Sequence, residues 1–185
     1  MPTSNPDAVS FVAAAILKAD PKSVLDVGIG FGKYGFLARE YSDVCRLRYF
    51  AWETQVDGIE IFKKYIGNIQ RSIYNNIYIG DALDVLKESY TDMEYAIRPL
   101  LPYYDILVCS DMLEHLKPTA GYEFLELCKM RARQSIIIVP QNPSKQQPHY
   151  GNEHERHLSG YTKNFLLKYG PTLEIGTQFV TVING

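Results

Sequence analysis

The chain has 185 residues, 46% hydrophobic and 22% charged, which suits one globular domain with a full core spanning residues 1–185. A formal net charge of −2 gives no overall basic field, so extended nucleic acid is not an expected partner. Three cysteines (Cys45, Cys109, Cys128) form no CxxC or zinc pattern, as expected of reduced thiols in a cytoplasmic protein, and the apolar run Val9 to Leu17 is too short to span a bilayer.

Asn5-Pro6 reads as an N-cap followed by proline at the first helical position. Val9, Val12, Ala13, Ile16 and Leu17 then recur at helical spacing until Asp20-Pro21. Ser23 to Val27 is a first strand, followed by glycines and a helix from about Lys33 to Tyr41. An aromatic connection, Arg46 to Gln55, leads to a second strand at Val56 to Ile61 and a helix near Phe62 to Ile69. Asn76 to Ile79 is a third strand, and residues 84–101 read as a helix or two carrying Tyr90 and Tyr95. Tyr104 to Cys109 and Ser135 to Pro140 are strands apolar on both faces, separated by a helix that opens at Pro118. Thr162 caps a helix through Lys168, Gly170-Pro171 breaks it, and Thr172 to Ile175 with Gln178 to Ile183 read as a closing hairpin. Continuous apolar strands belong to a parallel sheet covered on both faces. The expected fold is therefore α/β: a three-layer, doubly wound, mostly parallel sheet with a C-terminal antiparallel hairpin.

The chemistry concentrates where the first strand ends, in Asp26-Val27-Gly28-Ile29-Gly30-Phe31-Gly32-Lys33-Tyr34-Gly35. Glycine admits φ > 0 and lets backbone N–H groups approach a bound molecule. Two frames fit. Gly30 to Gly35 satisfies G-x-G-x-x-G, the dinucleotide fingerprint. The other frame is Asp26-x-Gly28-x-Gly30-x-Gly32. A carboxylate at the strand tip serves a pyrophosphate poorly and an ammonium well, and one in a buried strand end needs a partner.

In the second frame the passage resembles the first motif of class I S-adenosylmethionine-dependent methyltransferases. Further stations follow in the order that superfamily uses: Glu60 at the end of strand two, Gly80-Asp81-Ala82 after strand three, and Cys109-Ser110-Asp111-Met112-Leu113-Glu114-His115-Leu116 after strand four. The resemblance covers nearly the whole chain and implies a Rossmann-like methyltransferase fold with S-adenosyl-L-methionine as cofactor. Asp26, Gly28, Gly30, Gly32, Glu60, Asp81, Ala82 and Ser110 would hold it, Glu60 on the ribose hydroxyls and Asp81-Ala82 at the adenine. The plainer readings are a surface acid opening the next helix for Glu60 and an N-cap for Asp81. About 27 residues separate Gly32 from Glu60, against ~20 for a nucleotide-binding acid, so Glu53 is the alternative ribose ligand.

Transfer from a sulfonium asks the protein chiefly to align donor and acceptor and to exclude water, with a general base for a hydroxyl or ammonium acceptor. Asp111, Glu114 and His115 follow strand four, and His149, His154 and His157 lie in the loop after strand five. Asp111, His115 and His157 are expected to flank the acceptor. Spacing of i, i+3, i+4 puts Asp111, Glu114 and His115 on one face if the turn is helical. With His157-Leu158-Ser159-Gly160-Tyr161-Thr162 they resemble the ExxEH-plus-distal-histidine metal site of small-RNA 2′-O-methyltransferases. Here, however, Asp replaces the first Glu and Leu116 stands at the paired histidine. Metal-free relatives also carry Glu-His-Leu after strand four, and no metal is assigned. The polar stretch Asn142 to Glu155 reads as a lid.

The implied activity is methyl transfer to a small-molecule O or N acceptor, with no membrane partner; nothing in the sequence sets an oligomeric state. The alternatives are a non-catalytic cofactor-binding protein or partner subunit, a metal-dependent RNA 2′-O-methyltransferase, and an NAD-dependent oxidoreductase using Gly30, Gly32 and Gly35. Propylamine transfer is disfavoured because Asp26 suits an intact amino-acid head.

Overall fold

The structure is a computed structural model that describes residues 3–46, 53–88, 101–148 and 151–185. Its strands are β1 (Ser23–Val27), β2 (Gln55–Glu60), β3 (Asn76–Ile79), β4 (Tyr104–Ser110), β5 (Ala132–Pro140), β6 (Thr172–Ile175) and β7 (Gln178–Asn184). They form one sheet in the order β3-β2-β1-β4-β5-β7-β6. The first five strands run parallel. β7 enters antiparallel between β5 and β6, from Gln134 opposite Asn184 to Pro140 opposite Gln178. This is the doubly wound sheet with a C-terminal hairpin that the strand pattern implies.

The helices are α1 (Val9–Ala19), α2 (Lys33–Ser42), α3 (Asn68–Ile73), α4 (Ala82–Glu88), α5 (Pro118–Arg131) and α6 (Lys163–Leu166). Successive strand residues point to opposite faces, which divides the core in two. Leu25, Val27, Leu107, Cys109 and Ile137 pack with Leu86 of α4 and Phe124 and Leu125 of α5. Val24, Ile106, Val108, Ile136 and Val180 pack with Val12 and Ile16 of α1 and Ala38 of α2. Burial on both faces explains why these strands carry no polar alternation. Among the described residues no helix is long and apolar enough to cross a membrane.

Three elements depart from the sequence expectation, each for a local reason. α1 starts at Val9 rather than Pro6: Asn5 Oδ1 does accept the Asp7 amide at 2.9 Å, as an N-cap would, but Pro6 O takes the Val9 amide at 3.0 Å and closes a single turn ahead of the helix. The helix expected near 62–69 is split. A three-ten turn (Lys63–Tyr65) and α3 flank extended backbone at Ile66 and Gly67, and Gln70 Oε1 accepts the Gly67 amide at 3.0 Å to start α3 there. α4 begins at Ala82, where Asp81 Oδ1 accepts the Leu83 amide at 2.8 Å. Tyr90 and Tyr95, and the aromatic Tyr49, Phe50 and Trp52, lie outside the described residues.

From β1 the chain crosses to β2 on one side, while from β4 it crosses to β5 on the other. Such a reversal leaves a crevice at the carboxyl ends of the central strands.

Candidate functional site

A cavity of about 760 Å³ fills that crevice, bounded by the tips of β1 to β4, residues 3–5, and a strap drawn from Gln146 and residues 152–158 after β5. The volume is within the range of small-molecule sites.

The turn after β1 forms its floor. Gly28, Gly30 and Gly32 have φ of 77°, 47° and 95°, conformations that side chains other than glycine's rarely tolerate. The Gly28 amide donates to Ile59 O at 2.9 Å, which laces the turn to β2. Glu60, at the tip of β2, is 5% exposed. Its Oε2 accepts the Gly30 amide at 3.1 Å and its Oε1 the Phe62 amide at 2.9 Å. Burial raises its pKa, and those two amides pull it back. Gln70 Nε2 holds the other side of the turn by donating to Gly30 O at 3.0 Å.

Asp26 lies behind this floor. Its Oδ2 accepts the Tyr74 hydroxyl at 2.6 Å and the Gly35 amide at 3.0 Å. Burial pushes its pKa up to about 6 against the pull of those two donors.

After β4 the backbone turns sharply at Asp111, which has φ of 49°. Asp111 Oδ2 accepts the Asn5 amide at 2.8 Å and Oδ1 accepts Gln178 Nε2 at 2.9 Å. Lys33 Nζ donates to Ser4 O. A three-ten turn, Leu113–His115, then places Glu114 and His115 opposite His157 of the strap. His115 Nδ1 lies 3.0 Å from Arg156 O and His157 Nδ1 lies 2.6 Å from Ser144 O. A carbonyl only accepts, so each Nδ1 donates, and in the neutral tautomer this fixes, Nε2 is the acceptor. Burial pushes the His115 pKa below its ordinary value, partly offset by the Arg156 carbonyl.

The strap is latched on the β2 side. Tyr65 donates its hydroxyl to Glu155 Oε1 at 2.9 Å, and Asn152 Nδ2 donates to the Tyr65 oxygen at 3.3 Å.

No family model and no curated protein matches the sequence. The structure is similar to the methyltransferase domain of bacterial CtHen1-C, at 19% identity and a TM-score of 0.61, covering 98% of this chain and 99% of that one. A SAM-dependent methyltransferase from Archaeoglobus fulgidus matches at 16% identity and a TM-score of 0.61, over 95% and 94% of the two chains. The N-terminal domain of EvdMO1, solved with SAH bound, matches at 15% identity and a TM-score of 0.62, over 99% and 82%. The fold is that of a methyltransferase domain.

Within this methyltransferase fold, Gly28, Gly30, Glu60, Asp81, Ala82 and Ser110 line the cavity. Asp26 and Gly32 do not; they brace the turn from behind. Glu53, the alternative ribose acid, is exposed and away from the wall. Asp81 is an N-cap, as its plainer reading has it, and also faces the cavity.

Asp111, His115 and His157 all line the cavity, but the single helical face expected for Asp111, Glu114 and His115 does not form. The three-ten turn begins only at Leu113, and the left-handed backbone at Asp111 sends its carboxylate to Asn5 and Gln178 instead. His154 is in the wall, while His149 lies outside the described residues. Of the stretch read as a lid, Asn142 to Glu155, the wall takes Gln146, Asn152, His154 and Glu155, and His157 and Leu158 join them. Sequence reasoning missed Lys33, Tyr65 and residues 3–5. Lys33 alone carried a signal, being inside the glycine motif.

Proposed function

We propose that the chain is an S-adenosylmethionine-dependent methyltransferase acting on an O or N atom of a small molecule. The observation that carries this reading is Glu60. A nearly buried carboxylate at the tip of β2 faces the same cavity as the left-handed glycines of β1 and the Asp81-Ala82 step after β3. Each of its oxygens spends one lone pair on a backbone amide, and the remaining pairs suit two vicinal hydroxyls such as a ribose presents. An acid here serves the ribose of either cofactor, but the Gly30 amide that a pyrophosphate would use is already taken by Glu60 Oε2, which disfavours the dinucleotide frame.

When bound, the cofactor supplies a methyl group already activated on a sulfonium. The protein's share is alignment and exclusion of water, for which the strap and residues 3–5 provide walls. His115 is the group suited to take a proton from the acceptor. Its Nδ1–H is anchored on Arg156 O, its Nε2 is free, and desolvation favours the neutral ring. The walls on both sides of the cavity favour a compact acceptor.

Isothermal calorimetry with S-adenosylhomocysteine tests the reading. Micromolar binding by wild type, lost in Glu60→Ala, is the expected result; a heat-silent wild-type titration at high ligand concentration refutes it. NAD(H) run alongside addresses the oxidoreductase alternative. Methyl transfer to a panel of small acceptors separates an enzyme from a non-catalytic binder.

A second reading, metal-assisted methyl transfer to a hydroxyl, is favoured by one observation. Glu114 is 2% exposed, yet its Oε2 has no hydrogen-bond partner among the described residues. One ligand atom each from Glu114, His115 and His157 lies within 4.8 Å of the others. Two imidazoles anchored through Nδ1–H and a carboxylate form a donor set that fits a divalent cation, which would supply a Lewis acid beside the acceptor. Added Mn²⁺ or Co²⁺ should raise the melting temperature and activity of wild type and not of His157→Ala; no change in either quantity removes this reading.

A further inference from the structure

We infer that Lys33 and Asp111 together read the zwitterionic amino-acid head of the cofactor, Lys33 taking its carboxylate and Asp111 its ammonium. This assignment rests on the methyltransferase reading above and replaces the role that sequence alone gives to Asp26. The Asp26 carboxylate is spent on Tyr74 and Gly35, and the residue is not part of the cavity wall. An ammonium in the cavity has to find its counter-charge elsewhere.

The Glu60 and Asp81 tips belong to the nucleoside half, so the head group falls toward β4 and the N-terminal segment. Two side chains of opposite charge face the cavity there, Lys33 and Asp111. They are close enough to feel each other's field, and each is anchored to a different atom of consecutive residues. Lys33 Nζ donates to Ser4 O, and Asp111 Oδ2 accepts the Asn5 amide. The two opposite charges are thus anchored side by side on the N-terminal segment, both in the cavity wall. Neither is exhausted by its anchor: an ammonium has three donors and a carboxylate about four acceptor sites. Asp111 also holds φ of 49°, a backbone conformation that costs a non-glycine residue free energy and that collects at ligand sites.

The pairing makes the pocket selective. A ligand lacking the carboxylate leaves Lys33 with only its Ser4 anchor, and one lacking the whole amino-acid head forfeits both contacts. Decarboxylated cofactor, the donor in propylamine transfer, is therefore discriminated against by Lys33 itself.

The test compares calorimetric affinities for S-adenosylhomocysteine and 5′-methylthioadenosine, which keeps the nucleoside and thioether but has no head group. Wild type should bind the first more tightly. Lys33→Met should weaken S-adenosylhomocysteine roughly tenfold or more, as loss of a charge-assisted hydrogen bond does, and leave methylthioadenosine within about twofold of wild type. Lys33→Arg, which keeps the charge, should recover most of the loss, and Asp111→Asn should follow the Lys33→Met pattern. Retained methylthioadenosine binding certifies that each variant is folded.

Equal weakening of both ligands by Lys33→Met, or no weakening of either, overturns the assignment and leaves the methyltransferase reading standing. Wild type that binds neither ligand removes both.

Discussion

Asp26→Asn should change the pH dependence of stability more than its size. Asp26 is 2% exposed and its pKa is pushed from 3.8 to about 6, mainly by burial, with Glu60 adding repulsion against the favourable bonds from Tyr74 and Gly35. The folded state therefore holds this proton more tightly than the unfolded chain does. The stabilisation is fully present below pH 3.8 and is lost as the pH rises through 6. At roughly 1.4 kcal/mol per tenfold change in proton affinity, the total is about 3 kcal/mol, with no solvent-screening discount for a group so deeply buried. For a chain of this size that corresponds to roughly 6–12 °C in melting temperature. Asparagine can place its amide oxygen where Oδ2 stands and accept from both the Tyr74 hydroxyl and the Gly35 amide, and it does not titrate. Melts of wild type and Asp26→Asn followed by circular dichroism from pH 4 to 7.5 should show wild type losing most of that stabilisation relative to the variant. Parallel curves across the range would refute the assignment of a desolvated, proton-holding carboxyl at this position.

Two further outcomes follow from contacts around the site. Gly35→Ala would drive a Cβ into the Tyr74 ring, which is buried and tied to Asp26; overpacking of roughly 1–3 kcal/mol should lower the melting temperature by several degrees, and an unchanged melt would contradict the packing. Tyr65→Phe removes the hydroxyl that joins Glu155 and Asn152 of the strap. Dissociation of S-adenosylhomocysteine, read by stopped-flow displacement, should then quicken by roughly tenfold for a lost hydrogen bond, and an unchanged off-rate would mean the latch does not hold the mouth.

The bounds of β1 and β3 were readable to the residue because their short aliphatic runs end at Gly28 and Gly80. The cavity-lining glycines and Glu60 were readable because strand order fixes which tips meet. Asp26 marks where such reading stops. Its place along β1 is in the sequence, but its bond to Tyr74 joins residues 48 apart and decides that the carboxylate faces away from the cavity. Helical spacing misled at Asp111 because one left-handed residue breaks the period. The split of the 62–69 helix turns on a side-chain bond from Gln70, and the Tyr65–Glu155 latch spans 90 residues. Contacts of that separation leave no local pattern.

Gln178, the first residue of β7, supports Asp111, and its neighbour Thr177 donates through N and Oγ1 to Asp7 beside the N-terminal wall. On the ribosome, a nascent chain therefore carries its glycine turn and Glu60 long before these late-emerging buttresses arrive. Until β7 slots in, β5 presents a bare apolar edge of the sort that invites wrong strand pairing. The Asp111 wall of the cavity is thus complete only once β7 has docked against β5.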